Sequence, residues 1–297
     1  MTLSHAHNRP RKPARVVVLG AGGFLGSRLL KACTAADIAA VGLSSRDIDL
    51  ADASAPVRLA QQLRPKDVLI FLAALTPDKG RDSGTLMRNL AMARAVCEVT
   101  HSAEIAQLVY ASSDAVYSFA TALISEETPA VPLDLYGAMH RTRELILAGE
   151  AKAPLAILRL TAVYGAGDTH NSYGPNRFLH QALKDARIPL FGNGEETRDH
   201  LHVDDALDLI LKVVTHGSTG LLNLATGKSE TFRAVADMIA ARAGRPVEVA
   251  VSPRQNPVTH RHFDTTHLLH AFPGASFKRL DDALAATLAD ESANVGG

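Results

Sequence analysis

Six short apolar runs, at positions 16–19, 38–43, 67–74, 106–112, 155–160 and 221–225, punctuate this 297-residue chain. They lack the strict polar-apolar alternation of a half-exposed strand and are rich in Val, Ile and Leu. They therefore predict strands buried on both faces, as in a parallel sheet. Between them the apolar positions recur at helical spacing. Phe24, Leu25, Leu29 and Leu30 share one face of a predicted helix, and Leu86, Leu90, Ala93, Val96 and Cys97 that of another. Further helical stretches run over 59–63, which stops before Pro65, and 136–148. This alternation predicts an α/β fold, a doubly wound parallel sheet with right-handed crossovers. Beyond Gly165 it loosens into Gly-, Asn- and Pro-rich loops at 165–176 and 192–194, which suits a smaller C-terminal lobe that covers a substrate. The expected organisation is a sheet domain over 15–165, rejoined by about 200–226, with a substrate lobe from 166–199 and 227–297. Residues 1–14 are polar and basic, carry Pro10 and Pro13, and are expected to form a disordered leader.

The sharpest local signal follows the first run, where Gly20-x-x-Gly23-x-x-Gly26 joins the predicted strand to the helix that begins at Phe24 and Leu25. Gly20 permits a tight turn, Gly23 a close approach of backbone to a pyrophosphate, and Gly26 close packing of helix on strand. The free N–H groups of the new helix then face the phosphates. This is the pattern of a Rossmann dinucleotide site. The end of the second run decides between cofactors, because an acidic residue there holds a ribose 2′-hydroxyl and an arginine accommodates a 2′-phosphate. The chain offers Ser44, Ser45 and Arg46, with Asp47 only after them, so NADP is expected, with NAD the alternative.

Composition narrows the partners. Net charge is zero, which gives no electrostatic case for nucleic acid or an anionic membrane surface. No apolar run approaches the ~20 residues of a membrane span. The two cysteines, Cys33 and Cys97, lie in helical stretches and read as buried free thiols of a reducing compartment, so a cytoplasmic protein is expected. His200, His202, His260, His262, His267 and His270 read as surface or substrate-lobe histidines, and no Cys or carboxylate accompanies them at a zinc spacing, so no metal is expected. Asp204 and Asp205 open an apolar-periodic stretch and are expected to cap a helix.

In open α/β sheets ligands bind at the carboxyl ends of the strands. The fourth run delivers Ser112, Ser113 and Asp114 there, while Tyr136 and His140 stand four apart on one helix face. A serine hydroxyl, a phenol and a nearby cation suit hydride transfer at an alcohol or ketone: the phenol exchanges the proton and the serine holds the oxygen.

These motifs together resemble the extended short-chain dehydrogenase/reductase superfamily, in its NAD-dependent epimerase/dehydratase branch, over about residues 15–290. The resemblance rests on the glycine motif, Asp49-Leu50, Asn89, the stretch from Ser112 to Tyr117, Tyr136-Gly137-Ala138, Leu158-Arg159, Val163-Tyr164-Gly165, and Arg198-Asp199 leading to Asp204-Asp205. It implies that Ser113 polarises the substrate, that Tyr136 is the acid/base, and that Gly20, Gly23, Phe24, Leu25, Gly26, Ser44, Ser45, Arg46, Asp49, Leu50, Leu72, Ala73, Ala74, Asn89, Tyr136 and His140 surround the cofactor. Thr76, Ser112, Ser113, Asp114, Asn176, Arg177, Phe178 and Arg198 would face a nucleotide-sugar substrate, Arg198 on its diphosphate. The superfamily commonly dimerises through helices flanking the sheet, here those around Leu86 and Cys97 and over 136–148, so a homodimer is expected.

Two departures qualify what is implied. Where the superfamily has Tyr-x-x-x-Lys, this chain has Tyr136-Gly-Ala-Met139-His140, and neither Arg141 nor Lys152 is clearly placed to stand in. His140 is expected to substitute for the lysine. Where the dehydratases have a glutamate, this chain has Ala115, which argues against dehydration. The expected function is an NADP-dependent oxidoreductase that reduces a 4-keto sugar or epimerises a nucleotide sugar through a keto intermediate. The alternatives are an NAD-dependent 4-epimerase, a weakly active or non-catalytic NADP-binding regulator, and an oxidoreductase on a substrate without a nucleotide, such as a lactone or steroid.

Overall fold

The computed structural model of the chain describes residues 2–168, 173–254 and 256–295. Its centre is a six-stranded sheet, in spatial order Gly220–Leu224, Leu155–Leu160, Gln107–Ser113, Val68–Phe71, Val16–Leu19 and Ala40–Leu43, and every neighbouring pair is parallel. All six expected strands are present. The third ends at Phe71 rather than continuing to position 74, although the Leu72 N–H still bonds the Leu19 carbonyl at 3.0 Å. The second begins only at Ala40, after Asp37 takes a left-handed backbone conformation (φ 52°).

The strand residues alternate between two cores. Val16, Val18 and Ile70 face Leu29 and Cys33 of the helix Phe24–Ala35 and Leu209, Ile210 and Val213 of the helix Val203–Thr215. Val17, Leu19, Leu69 and Phe71 face the other way, against Ala93 and Val96 of the helix Ser83–Thr100 and Leu147 of the helix Leu135–Glu150. Both cores are apolar, and burial on two faces explains why the strands read as unbroken apolar runs. Cys33 and Cys97 are free and buried. Asp204 and Asp205 fill the first turn of Val203–Thr215, but the cap itself is the His202 side chain, which accepts from the Asp204 N–H.

A separate core of Phe178, Leu179, Ile188, Leu190, Phe232, Val235 and Leu284 lies in the C-terminal half of the chain. There Thr197–His202 pairs with Ala162–Tyr164 and Ser229–Thr231, and Arg187–Phe191 with Glu248–Ser252. Residues 2–11, expected to be disordered, instead pair with the segment 215–221 that leads into the edge strand of the main sheet. Ser4 and Thr219 exchange two backbone hydrogen bonds of 2.8 Å, and His5 packs against His216 and Phe272. Backbone pairing of this kind needs no apolar side chains, which is why composition did not reveal it. Among the described residues no helix is long and apolar enough to cross a membrane.

One buried ion pair fixes the helix Leu135–Glu150 on the sheet. Glu144, 1% exposed, receives Arg159 Nε at 2.8 Å and Nη2 at 2.7 Å, and also the Ser112 hydroxyl at 2.7 Å. Arg159 continues to the Tyr117 hydroxyl, which donates to Asn223 on the edge strand. Removing one partner of such a pair strands the other charge in the interior. Glu144→Ala should therefore lower the free energy of unfolding by about 3–5 kcal/mol, measured by denaturant titration; a loss below about 1 kcal/mol would show that the pair does not anchor this helix.

Candidate active site

The turn Gly20–Gly26 closes over the carboxyl end of the first strand. Gly20 has φ +91°, and a Cβ on it would lie 2.8 Å from the Ala73 nitrogen. A Cβ on Gly26 would lie 2.2 Å from the Gly20 carbonyl oxygen, so both glycines are steric requirements of the turn. Gly23, by contrast, is exposed and caps the helix Phe24–Ala35 without any side-chain hydrogen bond, and the first helical turn carries no acidic residue. The positive helix end is left for an anion, with room for its phosphates. Phe24 is buried and Leu25 half-buried just behind this end.

At the end of Ala40–Leu43 the Asp47 carboxylate accepts from both the Ser44 N–H (2.8 Å) and the Ser44 hydroxyl (2.7 Å). Ser45 and Arg46 are exposed, and the Arg46 guanidinium makes no hydrogen bond or ion pair among the described residues. Asp49 accepts from the Ala51 N–H and pairs with Arg88 at 3.0 Å, while Leu50 is buried in the core. Asn89 bonds the backbone of Leu75 in both directions, at 2.9 and 3.0 Å, so it shapes the loop that follows Ala73 and Ala74. The cradle as a whole fits a nicotinamide dinucleotide.

Across the cleft stand the residues expected to carry the chemistry. Asp134 caps the helix Leu135–Glu150 through the Gly137 N–H, and Gly137 lets it approach Ala115, whose carbonyl a Cβ would meet at 2.2 Å. This close approach sets the Tyr136 phenol beside Ser113. Burial pushes the phenol up to about 12, Asp114 adds to the rise, and the Ser113 hydrogen bond and the Arg143 charge oppose it. The Ser113 hydroxyl also accepts from the Ala115 N–H at 3.1 Å. His140 packs edge-on against Tyr136, with ring centroids 4.7 Å apart. It is only 3% exposed, and burial with the Arg143 charge pushes its pKa down to about 3, so it is neutral and is not itself the missing cation. Arg141 pairs with Glu144, and Lys152 is exposed at the far end of the helix.

Beside Ser113 lies a cavity of about 210 Å³ lined by Asp114, Phe119, Tyr173, Arg198, His200 and Arg261, among others. Arg198 and Arg261 stack on Phe119, at 5.0 and 4.1 Å from the ring centroid. Arg261 pairs with Asp114 at 2.7 Å, whereas among the described residues Arg198 donates only to the Thr197 and Thr259 carbonyls and the Thr259 hydroxyl. The lining carries two cations, Arg198 and Arg261, and two carboxylates, Asp114 and Asp134. A smaller cavity of about 100 Å³, lined by Leu75, Pro77, Tyr136 and Met139 among others, opens on the other side of the phenol; Thr76, between its two loop residues, bonds Asp78.

Several expected substrate contacts have structural work instead. Ser112 is buried on Glu144. Asn176 is buried, joining the Gly165 N–H to Asp168, and Phe178 is 0% exposed in the lobe core. Arg177 packs over Tyr173. The flanking residues 169–172 of that loop lie outside the described residues. His200 and His202 are buried against Tyr164 rather than on the surface. His267 lies between Glu126 (3.2 Å) and Glu127 (3.3 Å), a histidine-carboxylate grouping that the sequence spacing did not reveal. Arg143 and Arg261 were missed as well. A basic residue within a polar helix turn, or between two histidines of a loop, carries no sequence mark of burial.

The family model described as the NAD dependent epimerase/dehydratase family matches residues 16–225. Solved structures share the whole architecture. The UDP-glucose 4-epimerase of Thermus thermophilus, complexed with NAD, is 20% identical with a TM-score of 0.82, over 94% of this chain and 99% of that one. MoeE5, complexed with UDP-glucose and NAD, is 24% identical with a TM-score of 0.78, over 95% and 99%. RMD from Pseudomonas aeruginosa, complexed with NADPH, is 24% identical with a TM-score of 0.79, over 94% and 99%. With the glycine turn, the serine-tyrosine contact and a family match across the entire main sheet, the chain belongs to the NAD dependent epimerase/dehydratase family.

Proposed function

We propose that this protein is an NADP-using oxidoreductase of nucleotide sugars, which reduces a 4-keto sugar or epimerises through a keto intermediate. The observation that carries the reading is the placement of Tyr136 beside Ser113, next to a cavity lined by Arg198 and Arg261. A nicotinamide bound in the glycine cradle supplies or accepts the hydride. Ser113 holds the sugar oxygen, and Tyr136 gives or takes the proton at that oxygen. Arg198 and Arg261 suit the diphosphate, since planar guanidinium groups match phosphate oxygens. Similar structures that hold UDP-glucose or NADPH support the substrate class and the cofactor alternatives. The exposed Met87 and Leu145, on two helices packed against each other, support a homodimer through that face.

A second reading, an NAD-dependent 4-epimerase, is favoured by Asp47, whose carboxylate stands at the end of the second strand on Ser44. Arg46 separates the two. If its free guanidinium takes a 2′-phosphate, Arg46→Ala should weaken NADPH binding about tenfold and leave NADH binding unchanged, read by fluorescence titration. Equal effects on both cofactors, or none, would move the assignment to NAD and the epimerase.

The chemistry is checked by turnover. Tyr136→Phe and Ser113→Ala should each lower kcat by about 10²–10⁴-fold while the nucleotide sugar still binds. A wild-type protein that binds cofactor and nucleotide sugar yet exchanges no hydride would support the regulator instead. Cofactor binding without any response to nucleoside diphosphates would point to a substrate that carries no nucleotide.

A further inference from the structure

Among the described residues, one cluster of metal-ligating side chains has no part in the proposed chemistry. Glu126 and Glu127 follow the strand Leu123–Ile124, and His267 belongs to the helix Thr266–Ala271. That strand pairs with His262–Phe263 over only two residues. So short a ladder joins the two segments weakly by backbone alone. About 140 residues separate the carboxylates from the histidine, so no local spacing marks the group.

The Glu126 side chain is 4% exposed, and its Oε2 stands 3.2 Å from His267 Nδ1. Both atoms are buried, yet neither makes a hydrogen bond among the described residues. The distance would allow one, so it is the direction of approach that fails. A ring nitrogen that donates points at its acceptor, whereas two ligands of one ion each point at the ion and lie side by side. Ligands about 2.1 Å from a tetrahedral ion stand about 3.4 Å apart. The observed separation is close to that edge. Glu126 Oε1 accepts the Asn223 N–H at 2.7 Å, which fixes the carboxylate and leaves Oε2 for the cluster. Burial also pushes the Glu126 carboxyl above its usual range, a cost that a bound cation offsets. Glu127 Oε1 lies 3.3 Å from His267 Nε2 on a side chain that is 63% exposed and can turn. One ligand atom from each of the three residues lies within 4.8 Å of the other two.

We propose that Glu126, Glu127 and His267 bind a divalent cation of the zinc class, which clips the C-terminal segment onto the loop after Leu123–Ile124. An imidazole among carboxylates suits zinc or a neighbouring transition ion, whereas magnesium and calcium take oxygen ligands. Solvent completes the shell. His267 stands six residues after Arg261, whose guanidinium donates to the Asp114 and Tyr117 carbonyls at the wall of the larger cavity. Asn223, whose N–H holds Glu126, accepts from the Tyr117 hydroxyl. The ion therefore fixes the wall that carries Arg261 and takes no part in the reaction.

Equilibrium dialysis of the chelator-treated wild-type protein against zinc alone should show one ion per chain at micromolar free zinc. The chain has 13 histidines, so variants assign the site. Glu126→Gln and His267→Ala should each weaken binding by more than about tenfold, the loss that even an outer partner of a ligand costs. His260→Ala should leave it unchanged, and magnesium should not displace the zinc. X-ray absorption of the zinc-loaded wild type should show one imidazole nitrogen, with oxygen in the rest of the shell and no sulfur. At free zinc ten times its Kd, hydrogen exchange over residues 262–271 should slow about tenfold. No binding by the wild type, or binding unchanged in Glu126→Gln and His267→Ala, would overturn the site. So would nitrogen-15 NMR that finds His267 doubly protonated in the presence of zinc. Zinc bound there with exchange unchanged would overturn the clip. Should the variants fail to fold, the wild-type absorption spectrum still decides, because two or more imidazoles around the ion would place it elsewhere.

Discussion

The site depends on one buried ion pair. Glu144 and Arg159 join the helix that carries Tyr136 to the strand beside the one that ends in Ser113, and Ser112 closes the triangle on the same carboxylate. A helix packed by apolar contacts alone can slide by part of a turn with little change in buried area. A bidentate charge pair in a low-dielectric interior has one good geometry. The Ser113–Tyr136 contact is only as reliable as that registration, and so is the edge-on packing of His140 on Tyr136.

Much of this arrangement is legible in the sequence. The doubly buried strands announce themselves because both faces need apolar residues, and Gly20 and Gly26 because no side chain fits where they stand. Ser113 and Tyr136 could be placed because a strand end and a helix start fix them. What escaped notice is polar and nonlocal. Asn176 and Phe178 were expected at the substrate, yet one ties a loop to Gly165 and the other fills a core. Arg143 looks like any helix-surface cation until the fold places it under Ala73 and Asn89. The N-terminal segment reads as disordered by composition, whereas the segment leading into the edge strand holds it through backbone bonds that composition does not report.

Electrostatics ties these parts together. Burial sharpens hydride chemistry by excluding water, but it also raises the phenol, to about 12 for Tyr136 before any ligand is bound. A neutral histidine at position 140 does not offset that rise. Among the described residues, the positive charges near Ser113 and Tyr136 are Arg143, which opposes the rise of the phenol, and Arg198 with Arg261 at the larger cavity. One set bears on the proton and the other suits an anion. A fold shared across its family thus carries, in this chain, its own distribution of charge.

Hydride transfer between a nicotinamide and a sugar carbon is the proposed work of this cleft. The most direct measurement supplies the protein with a reduced cofactor deuterated at the transferring carbon, together with nucleotide-linked 4-keto sugars, and follows the label by mass spectrometry. Deuterium is expected on the sugar carbon that bore the ketone, dependent on Tyr136. Cofactor and sugar nucleotide both bound, with the label remaining on the nicotinamide, would contradict the proposed transfer.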